Sequence, residues 1–177
     1  LSSNIDWITP FGLTTSLGAS YFDPLTIQDD QKFVPLFTEK FSLNWAVNYE
    51  IQSWFLAIDY TGNLTGTMRL PLLSPIDPRR ETSVPFSIQN IQFTFKKIHD
   101  LEIYTGIKNL LNWTPNRNNP FLIARANDPF DKNVQFDPNG NVVPTVDNPY
   151  GLTFDPTYAF GPNQGIRFFA GLRFHID

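Results

Sequence analysis

The chain has 177 residues, of which only 17% are charged while 15% are aromatic; a soluble domain carries about 25% charged residues. That mix is too apolar for a disordered tail, and a net charge of −4 leaves no strongly basic surface for nucleic acid. The longest apolar run, Trp54-Phe-Leu-Ala-Ile58, is far short of the roughly 20 residues of a spanning helix, and the lack of Cys excludes disulfide scaffolds and Cys-ligated metal sites. Beginning at Leu1 without an initiator Met, the sequence reads as a mature processed form or as a piece of a longer chain.

A period of two dominates and predicts strands, with no convincing helix. The first stretch, near 11–22, sets Phe11, Leu13, Leu17 and Tyr21 against Gly12, Thr14, Ser16 and Ser20. In the second, near 37–49, Phe41, Leu43, Trp45, Val47 and Tyr49 alternate with Ser42, Asn44, Ala46 and Asn48. The third, near 53–69, places Trp54, Leu56, Ile58, Tyr60, Leu64 and Met68 opposite Asp59, Thr61, Asn63, Thr65, Thr67 and Arg69, with Leu70 continuing the apolar phase. In the fourth, near 84–97, Val84, Phe86 and Ile88 are out of phase with Ile91, Phe93 and Phe95, which predicts a bulge near Gln89-Asn90. The fifth, near 100–111, and the sixth, near 165–176, alternate likewise.

In these stretches every charged residue avoids the apolar face. Asp59, Arg69, Lys96, Glu102, Lys108, Arg167, Arg173 and His175 all share the other one. Such a face suits lipid, where a mid-bilayer Lys or Arg costs about 2–4 kcal/mol; a soluble core would show the same. The connections discriminate better, being long at 23–35, 71–83 and 113–164 and short at 50–53 and 98–100. Long loops on one side and tight turns on the other build outer-membrane barrels. Trp7, Phe11, Tyr21, Phe22, Tyr49, Trp54 and Phe174 cluster toward strand ends, as interfacial girdles do. The fold class expected is all-β, an antiparallel transmembrane β-barrel segment. Six strands do not close a spanning barrel, and free edges are not viable in lipid, so more wall is required.

Gly106-Ile-Lys-Asn-Leu-Leu-Asn112, after a strand and before a long loop, resembles the G-x-x-N-L-F-N/D penultimate-strand signature of TonB-dependent outer-membrane receptors. The closing Gly165-Ile-Arg-Phe-Phe-Ala-Gly-Leu-Arg-Phe174 is similar to their final strand, and 70–80 with 86–92 to the loop and strand before it. Such barrels end on an aromatic residue, whereas here His-Ile-Asp follows Phe174. The resemblance implies that the chain supplies about six C-terminal strands of a 22-stranded barrel, with its C-terminus in the periplasm. It implies active uptake of a scarce, bulky solute: a ferric siderophore or similar metal chelate, a vitamin, a peptide or an oligosaccharide. The partners implied are the remainder of the barrel, a plug domain absent from this chain, the TonB complex, outer-membrane lipid and lipopolysaccharide, and a surface lipoprotein.

The loop 113–164 holds 8 of the 15 Pro and many aromatics, and loops beyond about 12–15 residues are usually functional or disordered. It either contacts ligand or packs on itself as a cap. Candidate ligand contacts at the loop and rim are Arg79, Arg80, Trp113, Arg117, Arg125 and Tyr158, the arginines through bidentate bonds to an anionic solute. Arg69, Arg167 and Arg173 face the other way and are expected to pair with Asp59, Glu102 or plug groups. Asn139-Gly140 between Val-rich flanks predicts a hairpin rather than a calcium loop. The two His, His99 and His175, join no catalytic set, and no cofactor, metal site or enzyme activity is expected. The rival readings are a passive porin wall and a soluble all-β carbohydrate-binding or adhesion domain; an outer-membrane barrel enzyme stands behind both.

Overall fold

The computed structural model describes residues 1–28, 31–71, 80–115, 135–146, 149 and 160–175. Its strands are β1 (Ser2–Ile8), β2 (Leu13–Tyr21), β3 (Thr26–Gln28), β4 (Gln31–Phe33), β5 (Phe41–Ile51), β6 (Leu56–Thr65), β7 (Phe86–Ile98), β8 (Leu101–Lys108), β9 (Gln135–Phe136), β10 (Val142–Val143) and β11 (Arg167–Phe174). Seven of them form one antiparallel sheet in the order β1-β2-β5-β6-β7-β8-β11. Each strand pairs with the next long strand in sequence, so the sheet is a simple meander. The pairs β3–β4 and β9–β10 are separate two-stranded ribbons carried on the connections.

The six stretches of alternation overlap β2, β5, β6, β7, β8 and β11. The seventh strand, β1, is an addition to the six. Ile5 stands opposite Leu17 and Trp7 opposite Thr15, so its odd positions extend the same apolar face. Cross-strand pairing holds that face in register across the sheet: Leu17 meets Trp45, Val47 meets Tyr60, Tyr60 meets Ile91, and Ile107 meets both Ile91 and Phe168. The opposite face carries Asp6 beside Ser16, Asn48 beside Asp59 beside Gln92, and Glu102 beside Arg173. One face of the sheet is thus apolar and the other polar.

Polar groups on the apolar face satisfy each other. Gln89 stands there opposite Gly62, and its Oε1 accepts from the Tyr60 hydroxyl at 2.8 Å while its Nε2 donates to Ser87 Oγ at 3.1 Å. Glycines opposite aromatic residues leave room for rings to lie across the neighbouring strand. A Cβ on Gly62 would sit 2.3 Å from the Trp45 indole, and one on Gly106 would sit 2.6 Å from the Phe169 ring. This covers backbone that glycine would otherwise leave bare.

The expected bulge at Gln89-Asn90 is not formed. Pairing of β6 with β7 runs unbroken from Leu56–Phe95 to Thr65–Phe86. The phase change has another cause: Phe86 and Ile88 turn onto the polar face, where they pack in an apolar cluster with Met68 and Trp113. The one register irregularity of β7 lies between Phe95 and Ile98, next to the turn into β8.

The ends of the sheet differ. At one end the reversals are tight: a turn at 9–12 with Gly12 at φ 85°, the 3-10 turn Gln52–Trp54 closed by left-handed Phe55 at φ 53°, and His99-Asp100 with Asp100 at φ 60°. At the other end stand the connections 22–40, 66–85 and 109–166. Among the described residues no helix is long and apolar enough to cross a membrane.

Candidate functional site

The chain's buried apolar residues do not lie inside the sheet. Among the described residues, apart from Ala57, they are Met68, Leu70, Phe86, Trp113 and Pro115, all at the bases of the long connections. Met68 and Leu70 were expected to continue the apolar face of the third strand. Instead β6 stops at Thr65, the chain bends at Gly66, where a Cβ would come within 2.7 Å of the Phe41 carbonyl oxygen, and both side chains turn inward. The Met68 N–H donates to Ser83 Oγ at 3.0 Å, and the Ser83 N–H returns a bond to the Met68 carbonyl at 2.9 Å. The Phe37 N–H donates to the Arg69 carbonyl, and Arg69 Nη1 reaches the Val34 carbonyl at 3.1 Å. These bonds tie the bases of two connections together. Among the described residues Arg69 thus pairs with backbone, not with a carboxylate.

Trp113 joins the third connection to them. Its indole stacks on Phe86 with ring centroids 3.9 Å apart and planes 8° from parallel, and Phe160 tilts against both. Phe160 also packs on Leu70 with Phe37. Among the proposed ligand contacts, Trp113 is therefore an anchor of the loop base, 8% exposed. Arg80 is exposed beside the neighbouring connection. Arg79, Arg117, Arg125 and Tyr158 lie outside the described residues.

The residues of the Gly-x-x-Asn-Leu-Leu-Asn stretch explain why the base holds. Asn109 and Asn112 adopt left-handed backbone, φ 53° and 51°, a region Asn enters more readily than most residues. Asn109 is 3% exposed and its amide is fully used. Nδ2 donates to the Trp113 carbonyl at 2.6 Å and to the Gln164 carbonyl at 3.0 Å, while Oδ1 accepts from the Trp113 N–H at 3.0 Å. Asn112 Oδ1 accepts from the Ile166 N–H at 2.8 Å, and a Cβ on Gly165 would collide with that oxygen at 2.2 Å. Two asparagines thus clasp the two ends of the longest connection onto the head of β8.

The polar face below this clasp is ordered by charge. Arg173 Nη1 bonds Glu102 Oε2 at 2.6 Å, as expected, with His175 Nε2 at 3.7 Å from the other oxygen. Asp59 accepts from Asn48 Nδ2 at 2.7 Å and, among the described residues, meets no arginine. Lys96 and Glu50 form an exposed pair at 3.0 Å. Arg167 Nη1 bonds the Gln164 side-chain oxygen. Lys108 lies over the Phe169 ring, 5.4 Å from its centroid, and Arg173 over Tyr104 at 5.8 Å.

On the long connection, β9 and β10 pair around Asn139-Gly140 as a hairpin, with Gly140 at φ 85°. Asp137 organises that turn: Oδ1 accepts the N–H groups of Asn139 at 2.8 Å and Asn141 at 2.9 Å. Bonding to the Asn141 backbone, then to its side chain, holds the Asp137 carboxyl below its usual value of 3.8. Among the described residues no cluster of His, Cys, Asp and Glu could hold a metal.

No protein-family model and no curated protein sequence matches the chain. Solved structures do. A mutant ferric enterobactin receptor from Pseudomonas aeruginosa in complex with enterobactin aligns with a TM-score of 0.57 at 13% identity, over 98% of this chain and 22% of its own. A second mutant of that receptor aligns equally well over 21% of its length. The same kind of receptor in complex with BCV-L6 aligns with a TM-score of 0.51 at 12% identity, over 97% of this chain and 22% of its own. The fold is that of a receptor-barrel segment. This chain spans about a fifth of the length of the receptors it matches, in keeping with a meander whose two outer strands, β1 and β11, each have one neighbour.

Proposed function

We propose that the chain is wall and mouth of a TonB-dependent outer-membrane receptor, in which it serves active uptake of a scarce, bulky solute. The observation that carries this reading is the two-faced meander. One face is a continuous apolar surface, with Trp7, Leu17, Phe168 and Leu172 all exposed; the other holds the charges. A sandwich lectin would cover that apolar face with a second sheet, and among the described residues nothing covers it. In lipid the same face is satisfied by acyl chains, and unpaired edges require further strands. The likeness to ferric enterobactin receptors supports a metal chelate as the solute, ahead of a vitamin, peptide or oligosaccharide. The tight turns then face the periplasm and the clasped connections face outward, with Arg80 at the rim meeting anionic solute. Strands completing the wall, a plug inside it and TonB beneath it are the partners of this reading.

The experiment is uptake by cells carrying the complete receptor. Cell fractionation should recover it in the outer membrane with heat-modifiable mobility on a gel. Iron-starved cells should take up a radiolabelled ferric siderophore only with TonB present. Entry without TonB would instead make the chain a porin wall, and recovery as a detergent-free soluble monomer would remove it from the membrane.

A further inference from the structure

The last two strands carry a conflict that the rest of the polar face avoids. Lys108 of β8 stands directly opposite Arg167 of β11. Like charges directly opposed on one face of an antiparallel pair destabilise it. At the other end of the same ladder the opposed pair is Glu102 with Arg173, bonded at 2.6 Å. Among the described residues no carboxylate pairs with Lys108 or with Arg167. Among the described residues Arg167 meets the neutral side chain of Gln164, and Lys108 the face of Phe169.

Lys108 lines a concavity with Asn90, Gln92, Thr61 and Phe169, and the acidic residue there, Asp59, is engaged by Asn48. The two cations are also held in place. Lys108 precedes the clasping Asn109, and Arg167 follows Ile166, whose N–H binds Asn112. Local conflicts kept on a rigid frame mark functional positions.

We infer that Lys108 and Arg167 form an anion site on the inner wall just beneath the loop clasp, which takes a carboxylate of the transported solute. The guanidinium supplies a planar fork for two carboxylate oxygens and the ammonium a point charge beside it. Phe169 gives the site an apolar floor. The site rests on the receptor reading for its solute, yet its binding chemistry requires neither TonB nor energy.

The test uses the complete receptor in detergent micelles, with citrate as probe. Melting temperature is followed through a citrate titration, against chloride at matched ionic strength. Citrate should raise the melting temperature beyond the chloride control. Lys108→Gln and Arg167→Gln should each raise the half-saturating citrate concentration about tenfold, as loss of one charge-assisted contact does. Lys108→Arg should bind nearly as wild type, and Lys96→Gln, whose ammonium is paired with Glu50, should match it. Without citrate the two Gln variants should melt no lower than wild type, because a repulsion is removed.

Equal citrate responses in wild type and both Gln variants would overturn the site. So would a lower melting point of the variants without citrate, which would mean that an acidic group of the receptor already fills it. Citrate binding with TonB-independent uptake would sink the transport reading and leave the anion site standing.

Discussion

Replacing Asn109 by Ala should open the base of the longest connection while leaving the sheet intact. The substitution deletes three hydrogen bonds, two donated by Nδ2 to the Trp113 and Gln164 carbonyls and one accepted by Oδ1 from the Trp113 N–H. At about 1 kcal/mol net each, these come to roughly 3 kcal/mol. Ala at φ 53° adds about 1 kcal/mol of backbone cost. A loss of about 4 kcal/mol in the local opening equilibrium corresponds to roughly a thousandfold larger open population, at 1.36 kcal/mol per decade. Hydrogen exchange by mass spectrometry on the full-length protein in detergent reads this directly, since the Trp113 amide is itself the donor to Asn109. Its exchange should rise by at least about a hundredfold, with the amides of β7 unchanged. Asn109→Gly separates the two contributions: it keeps the left-handed backbone without strain, so it should exchange roughly fivefold more slowly than Asn109→Ala, a difference of about 1 kcal/mol. Protection of Trp113 within threefold of wild type in the Ala variant would refute the clasp. A Gly variant indistinguishable from wild type would mean that the backbone alone matters.

Three more outcomes follow from the same structure. Gly62→Ala places a Cβ 2.3 Å from the Trp45 ring and should destabilise the barrel by about 1–3 kcal/mol; adding Trp45→Leu should return part of that loss in a double-mutant cycle read by urea unfolding. Leu172→Arg, on the apolar face, should cost about 2–4 kcal/mol and lower the temperature of the heat-modifiable gel shift, whereas Gln92→Arg, on the wet face, should leave it nearly unchanged. The β9–β10 hairpin should depend on pH through Asp137. A carboxyl held below its unfolded value of 3.8 contributes stability that is fully present above that value and lost as pH falls through the lower folded one. The Asn139 and Asn141 amides should therefore stay protected from pH 7 to about 4 and lose protection below it. Asp137→Asn should abolish that dependence, and acid-insensitive protection in the unmodified chain would count against the turn.

How much of this was readable in the residues depends on which physics each feature obeys. Alternation reports side-chain direction, so the two faces and the sheet class were legible wherever a strand carried several large apolar residues. In β1 only Ile5 and Trp7 mark the period, and the strand becomes evident only through its partners Leu17 and Thr15. Phe86 and Ile88 broke the alternation, and a sequence offers two explanations: an inserted residue or a change of environment. The second holds here because an apolar cluster forms at the loop bases, with Met68 from one connection and Trp113 and Phe160 from the two ends of another. Periodicity within one strand cannot report a contact made between connections. The Asn109–Asn112 stretch stood out by resemblance alone; its work depends on two left-handed backbones and on carbonyls 4 and 55 residues away.

The distribution of burial then says where rigidity resides. Outside the mouth the sheet buries almost no apolar side chain among the described residues, and its cohesion is backbone pairing together with ring-on-glycine contacts. In the proposed receptor such a sheet would draw its stability from what surrounds it: lipid on one face, a filled lumen on the other, and neighbouring strands at β1 and β11. The mouth is the exception, since Met68, Leu70, Phe86 and Trp113 form a small core of their own, stapled by Asn109 and Asn112. In the proposed receptor, variation beyond such a root would alter what is bound without disturbing the wall. Strain or loss at the root should change binding and leave barrel assembly unaffected, which is why the Asn109 variants separate the two functions.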